Sequence, residues 1–416
     1  MAPTTNFTVQ VPEGTTNHND INLICTPATL YDVFIFFVTN YFIHAASLPA
    51  VPGESWLEIA YSVLNALFVP GFGAARTVRY FLLRPGLKHK RSPLECAIRA
   101  GALCMVVHED VIDSFSLSHL ERPDNWYWRI FHVEANPNDI IIPPTRALHG
   151  VFKLPLSNNY RLCVVPPGVP LRPVTPPRTP DQLPSPFRLS SEYNVTKVLF
   201  SLVQAVAGSI TIYRARGDQI ARYGYSAFGL SVVPYVFMSV ANIVASFLTR
   251  DYPTMYLVRT PDMARAEQEG GEFDGVVADL DVPPGPRQTK VNTTLANEKP
   301  RPSVAIWLFL VLSPLIIVGA ISGFQKGNDS TAAQRGWIIS WLVIGFISGL
   351  WSLVVKKIGS QLFYDEAKGG NHLSGFPFLK SFMLIICIIP FWIPAIGGMV
   401  IVGQELHEYG ICQRFN

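Results

Sequence analysis

The apolar positions of this chain gather in long unbroken runs separated by polar blocks, with little strict alternation and few single helical stripes. Runs of that length read as helices with apolar surroundings on every side. The stretch Asn194–Arg259 sets the pattern. Within it, Val195–Tyr213 as a helix covers roughly 28 Å at about 1.5 Å per residue, close to the hydrocarbon thickness of a bilayer. A short charged turn follows, and Tyr223–Thr249 returns with Pro234 as its expected kink. Further runs at Thr29–Leu48, Trp56–Val69, Val304–Phe324, Gly336–Val355 and Leu379–Gly403 predict about seven hydrophobic segments, or eight if Cys96–His108 also crosses. Trp56–Val69 stops at Pro70-Gly71-Phe72-Gly73 and either crosses with a kink or turns back. Cys96–His108 is short for a span and carries Arg99, which favours a place in a loop domain.

The polar blocks complete the expected organisation. Residues 1–28 are Thr/Asn-rich, carry the sequon at Asn6, and read as a disordered tail. Residues 109–165 read as a small soluble insertion, with Gly150–Leu154 and Tyr160–Val165 forming a hairpin around Asn158-Asn159. Pro166–Ser190 holds nine prolines, a composition that favours an extended spacer able to recruit a cytosolic polyproline-binding partner. Arg250–Ser303 reads as a flexible linker. The expected fold class is therefore an all-α polytopic membrane protein with a small α+β loop insertion and a Pro-rich linker.

Composition agrees with that solvent. Of 416 residues, 49% are hydrophobic and 15% charged, against about 25% charged in an ordinary soluble protein. A net charge of +3 is too small and too scattered to point to nucleic acid. The six cysteines show no C-x-x-C spacing, so neither a disulfide framework nor a structural zinc site is expected. The first basic residue is Arg76, so no signal-peptide n-region precedes the first run. From Arg76 to Arg99 seven basic residues face only Glu95. That block favours the cytoplasmic side and contact with anionic headgroups. Flanking basic residues also favour cytosolic long loops, with the sequon at Asn328 on the lumenal or outer face.

Candidate chemistry is sparse. Asp32, Asn40 and His44 fall at about 0°, 80° and 120° around the first run, at roughly 100° per residue, and form one polar stripe. In a bilayer such a stripe turns toward other helices or water, as interhelical glue or as an ion path. Gly319/Gly323 and Gly345/Gly349 are both G-x-x-x-G, spaced for close helix packing. His108-Glu109-Asp110, His119, Glu121 and His132-x-Glu134 match no metal or hydrolytic pattern, and there is no Walker loop or G-x-S-x-G. No catalytic, cofactor or metal residue is expected. A sensing or scaffolding role comes first, transport along the stripe second, and a membrane-embedded lipid enzyme third.

The run Tyr213–Ser239, YRARGDQIARYGYSAFGLSVVPYVFMS, resembles the core signature of an uncharacterised family of fungal multi-pass membrane proteins. NYFIHAASLPAVPGES, RAGALCMVVH at Arg99–His108, and DYPTMYLV before Arg259 are similar to further blocks of it. The likeness covers roughly residues 30 to 260. It implies a membrane setting and a fungal source, and it transfers no catalytic residue.

Overall fold

The computed structural model describes residues 10–18, 20–74, 76–77, 92–109, 142, 146–155, 159–165, 169–174, 189–191, 194–248, 250–280, 303–344 and 377–414. They form a layer of helices with a mixed β-sheet at one of its ends. In chain order the helices are α1 (Leu30–Ala46), α2 (Trp56–Phe68), α3 (Pro93–Ala100), α4 (Val195–Ala215) and α5 (Asp218–Tyr223). They continue with α6 (Val233–Leu248), α7 (Pro261–Gln268), α8 (Ser303–Ser322), α9 (332–344) and α10 (Pro377–Tyr409). The strands are β1 (Leu23–Thr26), β2 (Leu103–His108), β3 (Phe152–Lys153), β4 (Tyr160–Val164), β5 (Leu171–Pro173), β6 (Tyr256–Arg259), β7 (Glu272–Phe273), β8 (Val276–Leu280) and β9 (Ile411–Arg414).

Local chemistry sets the helix starts. Thr29/Asp32, Ser55/Glu58 and Ser92/Glu95 are capping boxes, in which each side chain satisfies the other residue's orphan backbone N–H. α4 and α6 pack at closest range through Gly208, where a Cβ would overlap Val236. α9 and α10 meet in the same way, because Gly397 and Gly398 lie against the rings of Trp337 and Trp341. These pairs bury Tyr41, Leu230, Val232, Tyr235, Trp341 and Leu406 in one helical core.

The main sheet has the order β4-β2-β6-β8-β5, with β2, β6 and β8 parallel and both outer strands antiparallel. α3 covers one face, its Ala97 and Ile98 packing with Leu103, Met105 and Val107. α7 covers the other, its Met263 and Ala266 packing with Cys104, Val106 and Leu257. Thr260 caps α7 and its hydroxyl donates to the Val106 carbonyl at 2.8 Å, tying the β6–α7 turn to β2.

The opposite end of the layer is a clamp. β1 pairs antiparallel with β9, and a disulfide joins Cys25 to Cys412. The turn after α8 docks on the turn after α5: Tyr225 N–H donates to Gln325 O, and Asn328 N–H to Ala221 O. Gly224 and Gly327 make that approach possible, both at positive φ and each without room for a Cβ against the other's turn.

The all-α expectation is therefore wrong: the chain is α+β. Among the described residues two helices, Val195–Ala215 and Leu230–Phe247, are long and apolar enough to cross a membrane, not seven or eight. Leu30–Ala46, Trp56–Phe68 and Phe309–Ser322 are apolar but shorter. The reasons are specific. Cys96–His108 is α3 plus a strand covered on both faces, and such a strand is continuously apolar. α2 turns back at Pro70–Gly73, so that Arg76 returns to Glu54 at 2.5 Å near the start of α2. The expected hairpin does not form either, because Phe152–Lys153 pairs with β7 and Tyr160–Val164 with β2. Residues read as linker supply β6, α7, β7 and β8, and residues read as a tail supply β1. The Cys25–Cys412 disulfide, too, runs against the expectation that the cysteines form no disulfide framework. The Pro-rich core 175–188, the basic residues Arg79–Arg91, and Asn6 lie outside the described residues.

Candidate functional site

The polar stripe of α1 divides. Asp32 stays at the mouth of the helix, bound to Thr29 in its capping box at 2.6 and 2.8 Å, because an N-terminal carboxylate is best satisfied by the free N–H groups there. Asn40 and His44 go inward and are buried. Around Asn40 the helix loosens into a π-turn, Val38–Phe42, which takes backbone groups out of the regular ladder. Gln204 of α4 supplies a partner there, its Nε2 donating to the Asn40 carbonyl at 2.8 Å. Thr211 Oγ1 donates to Asn40 Oδ1 at 3.1 Å, and Asn40 Nδ2 donates to Phe36 O at 2.9 Å.

From Gln204 the network runs into α6. Ser239 Oγ donates to Gln204 Oε1 and lies 3.0 Å from His44 Nδ1. A hydroxyl has one proton, so Nδ1–H of His44 is the donor to Ser239 and Nε2 carries the lone pair. That Nε2 is buried without a hydrogen-bond partner among the described residues. A second branch leaves the same turn of α1: Ser47 Oγ donates to His44 O, Asn242 Nδ2 to Ser47 Oγ, and Thr77 Oγ1 to Asn242 Oδ1 at 2.7 Å. α1, α4, α6 and the returning segment after α2 are thereby joined through side chains.

The tip of α2 ends inside the layer and is held by aromatic donors. Tyr235 Oη donates to Leu67 O at 2.7 Å, Trp341 Nε1 to Phe68 O at 2.8 Å, and Trp392 Nε1 to Asn65 Oδ1 at 3.3 Å. Tyr235 stands edge-on to His44 and to Tyr41, with ring centroids 5.4 and 4.8 Å apart. Beyond Tyr41 lies Glu405 of α10, buried, with the Phe228 backbone N–H directed at its carboxylate and no side-chain hydrogen-bond partner among the described residues. Its electrostatic neighbours include Tyr41, Tyr223 and Glu408.

Other expected residues fall elsewhere. Gly319 accommodates the ring of Phe324 from its own helix end, and Gly323 terminates α8 at φ 58°. The close helix contacts use Gly208, Gly397 and Gly398 instead, and Gly345 and Gly349 lie outside the described residues. Asn328 is exposed in the turn after α8. Glu109 is paired with Arg161 at 2.5 Å, and His108 packs on the Tyr160 ring. On the sheet, burial pushes the Cys163 thiol up to about 12 and the Cys104 thiol higher still, so both are inert at neutral pH. Burial and the Glu269 carboxylate, which accepts its hydroxyl at 2.6 Å, raise Tyr160 to about 12. An open cleft of about 470 Å³ lies at the clamped end beside Arg216, Ile220, Ala320 and Gln325, away from His44.

Glu405 was missed because the last apolar run stops at Gly403, and the carboxylate reads as the first charged residue beyond it. A charge placed two residues past such a run, followed by Leu406 and Tyr409, is the available signal. No family model, curated protein or solved structure matches this chain.

Proposed function

We propose that the helical layer lies in a membrane and that the protein is a non-catalytic scaffold or sensor, carrying its mixed sheet on one side and its clamped termini on the other. The polarity of the helices carries this reading. α4 turns Leu199, Phe200, Leu202, Val203, Val206 and Ile210 outward, and Ser201, Gln204 and Gly208 inward. Phe34 and Phe42 of α1, Val244 and Phe247 of α6, and Ile393, Ile396 and Val400 of α10 are exposed in the same way. An apolar perimeter around a polar centre suits lipid and is costly in water. The disulfide supports an oxidising compartment at the clamped end, and the free thiols of Cys96, Cys104 and Cys163 support a reducing one at the sheet. On that side the Pro-rich segment is proposed to recruit a soluble partner, and the basic block to hold anionic headgroups.

Scaffolding is favoured over transport because the buried stripe residues Asn40 and His44 are tied to neighbouring helices through Gln204, Thr211 and Ser239. Transport is the second reading, favoured by the buried Glu405 carboxylate and by a His44 Nε2 that has no hydrogen-bond partner among the described residues. The full chain reconstituted into sealed vesicles with an entrapped pH dye separates them. The scaffold reading expects proton flux equal to that of protein-free vesicles. Flux that Glu405→Gln abolishes would overturn it in favour of transport.

A further inference from the structure

The clamp sets a third ligand-bearing side chain beside its two sulfurs. A ring nitrogen of His18 and the Sγ atoms of Cys25 and Cys412 all lie within 4.8 Å of one another. The His18 side chain is only 2% exposed, although most of the segment around it is open to solvent. Its Nδ1 is 2.7 Å from Asp218 Oδ2, and Asp218 is itself held by Arg222 Nε at 3.0 Å. Tyr409 stands edge-on to the imidazole, with centroids 4.6 Å apart. His18 occupies the left-handed region at φ 46°, which few residues with a side chain adopt.

A disulfide requires neither an imidazole nor a carboxylate behind it. A histidine oriented by a carboxylate on one nitrogen, with the other left for a ligand, is how proteins present imidazole to a metal. With Nδ1 engaged by Asp218, Nε2 is the nitrogen that remains. Two thiolates and one imidazole select a thiophilic cation such as Zn²⁺ over hard cations, with a water completing the tetrahedron.

We propose that Cys25, Cys412 and His18 form a redox-gated site for a thiophilic divalent cation, closed while the cysteines are joined and open once they are reduced. A dithiol supplies two electrons and two protons to the Cys25–Cys412 bond, giving two thiols, and is itself oxidised to a cyclic disulfide. Zn²⁺ then displaces both thiol protons to solvent, forming two Zn–S bonds and one Zn–N bond to His18. Asp218 is a positioning residue that holds the imidazole. The proposal does not depend on the membrane reading.

The test uses the full chain in detergent micelles, reduced with a phosphine, desalted without oxygen and titrated with Zn²⁺ against a chromophoric chelator. Co²⁺ serves as the probe of thiolate ligation through its charge-transfer absorption. The expected result is one Zn²⁺ per reduced chain and none at that affinity in the oxidised chain. His18→Ala should weaken binding at least tenfold, and Asp218→Asn by about 10- to 100-fold. Both variants should still re-form the disulfide on a non-reducing gel, which shows that the clamp has folded. Cys25→Ser/Cys412→Ser should abolish the site. Absence of binding to the reduced wild type, equal binding by His18→Ala, or binding that survives loss of both cysteines would each overturn the proposal.

Discussion

Replacing Gln204 by leucine removes two of the hydrogen bonds that join α4 to α1 and α6, and leaves the Thr211–Asn40 bond in place. The change leaves the Asn40 carbonyl without its donor and the Ser239 hydroxyl without its acceptor, both deep in the layer. Interhelical hydrogen bonds in membrane proteins average about 0.6 kcal/mol and reach about 1.7, so two of them place the loss at about 1–3 kcal/mol. Ser239→Ala alone removes one of the two and also strips the acceptor from His44 Nδ1. The double variant should therefore cost less than the sum of the singles, by about 0.5–2 kcal/mol. Unfolding free energies in mixed micelles, measured by steric trapping for both singles and the double, read these values. A Gln204→Leu loss below about 0.3 kcal/mol, together with additive singles, would refute the network as interhelical glue.

Two further outcomes follow from the geometry. Gly398→Val drives a side chain into the Trp341 ring, whose Nε1 holds the tip of α2, so it should cost about 1–3 kcal/mol or more in the same unfolding measurement. Asp262 is buried against the sheet, and that burial raises its carboxyl above the ordinary value of 3.8 despite the His108 N–H bond. The folded state thus keeps this proton to higher pH than the unfolded state does, so the contribution of Asp262 to stability is fully present below 3.8 and is lost as pH rises through the raised value. Asp262→Asn should flatten that decline in hydrogen exchange of the β2 amides across pH, and an unchanged slope would count against it.

The helical half was legible where solvent preference decides the pattern. Val195–Ala215 and the inward turn of Asn40 and His44 follow from apolar length and helical spacing alone. The sheet was hidden for a physical reason. Its central strands come from regions about 150 residues apart, on either side of the α4–α6 hairpin, and pair in parallel. Parallel pairing leaves no turn signature, and a strand covered on both faces shows no alternation, so Leu103–His108 looked like part of a short apolar segment of a loop domain. Tyr256–Arg259 and Val276–Leu280 were masked by the Gly, Pro and charged residues of the turns around them. Asp32 was misplaced because spacing alone does not separate a capping carboxylate from a stripe residue. The clamp joins residues 387 positions apart, a distance over which single-sequence patterns carry no pairing information.

The central claim is that lipid surrounds the helical layer, and a spin label at Val203 of α4 tests it most directly. Val203 lies on the exposed face of the helix and Gln204 beside it is buried. In reconstituted vesicles the label should collide readily with molecular oxygen, which concentrates in hydrocarbon, and rarely with a water-soluble nickel chelate. A label at exposed Asn328 should show the reverse. High nickel accessibility and low oxygen accessibility at Val203 would put that face in water and contradict the account.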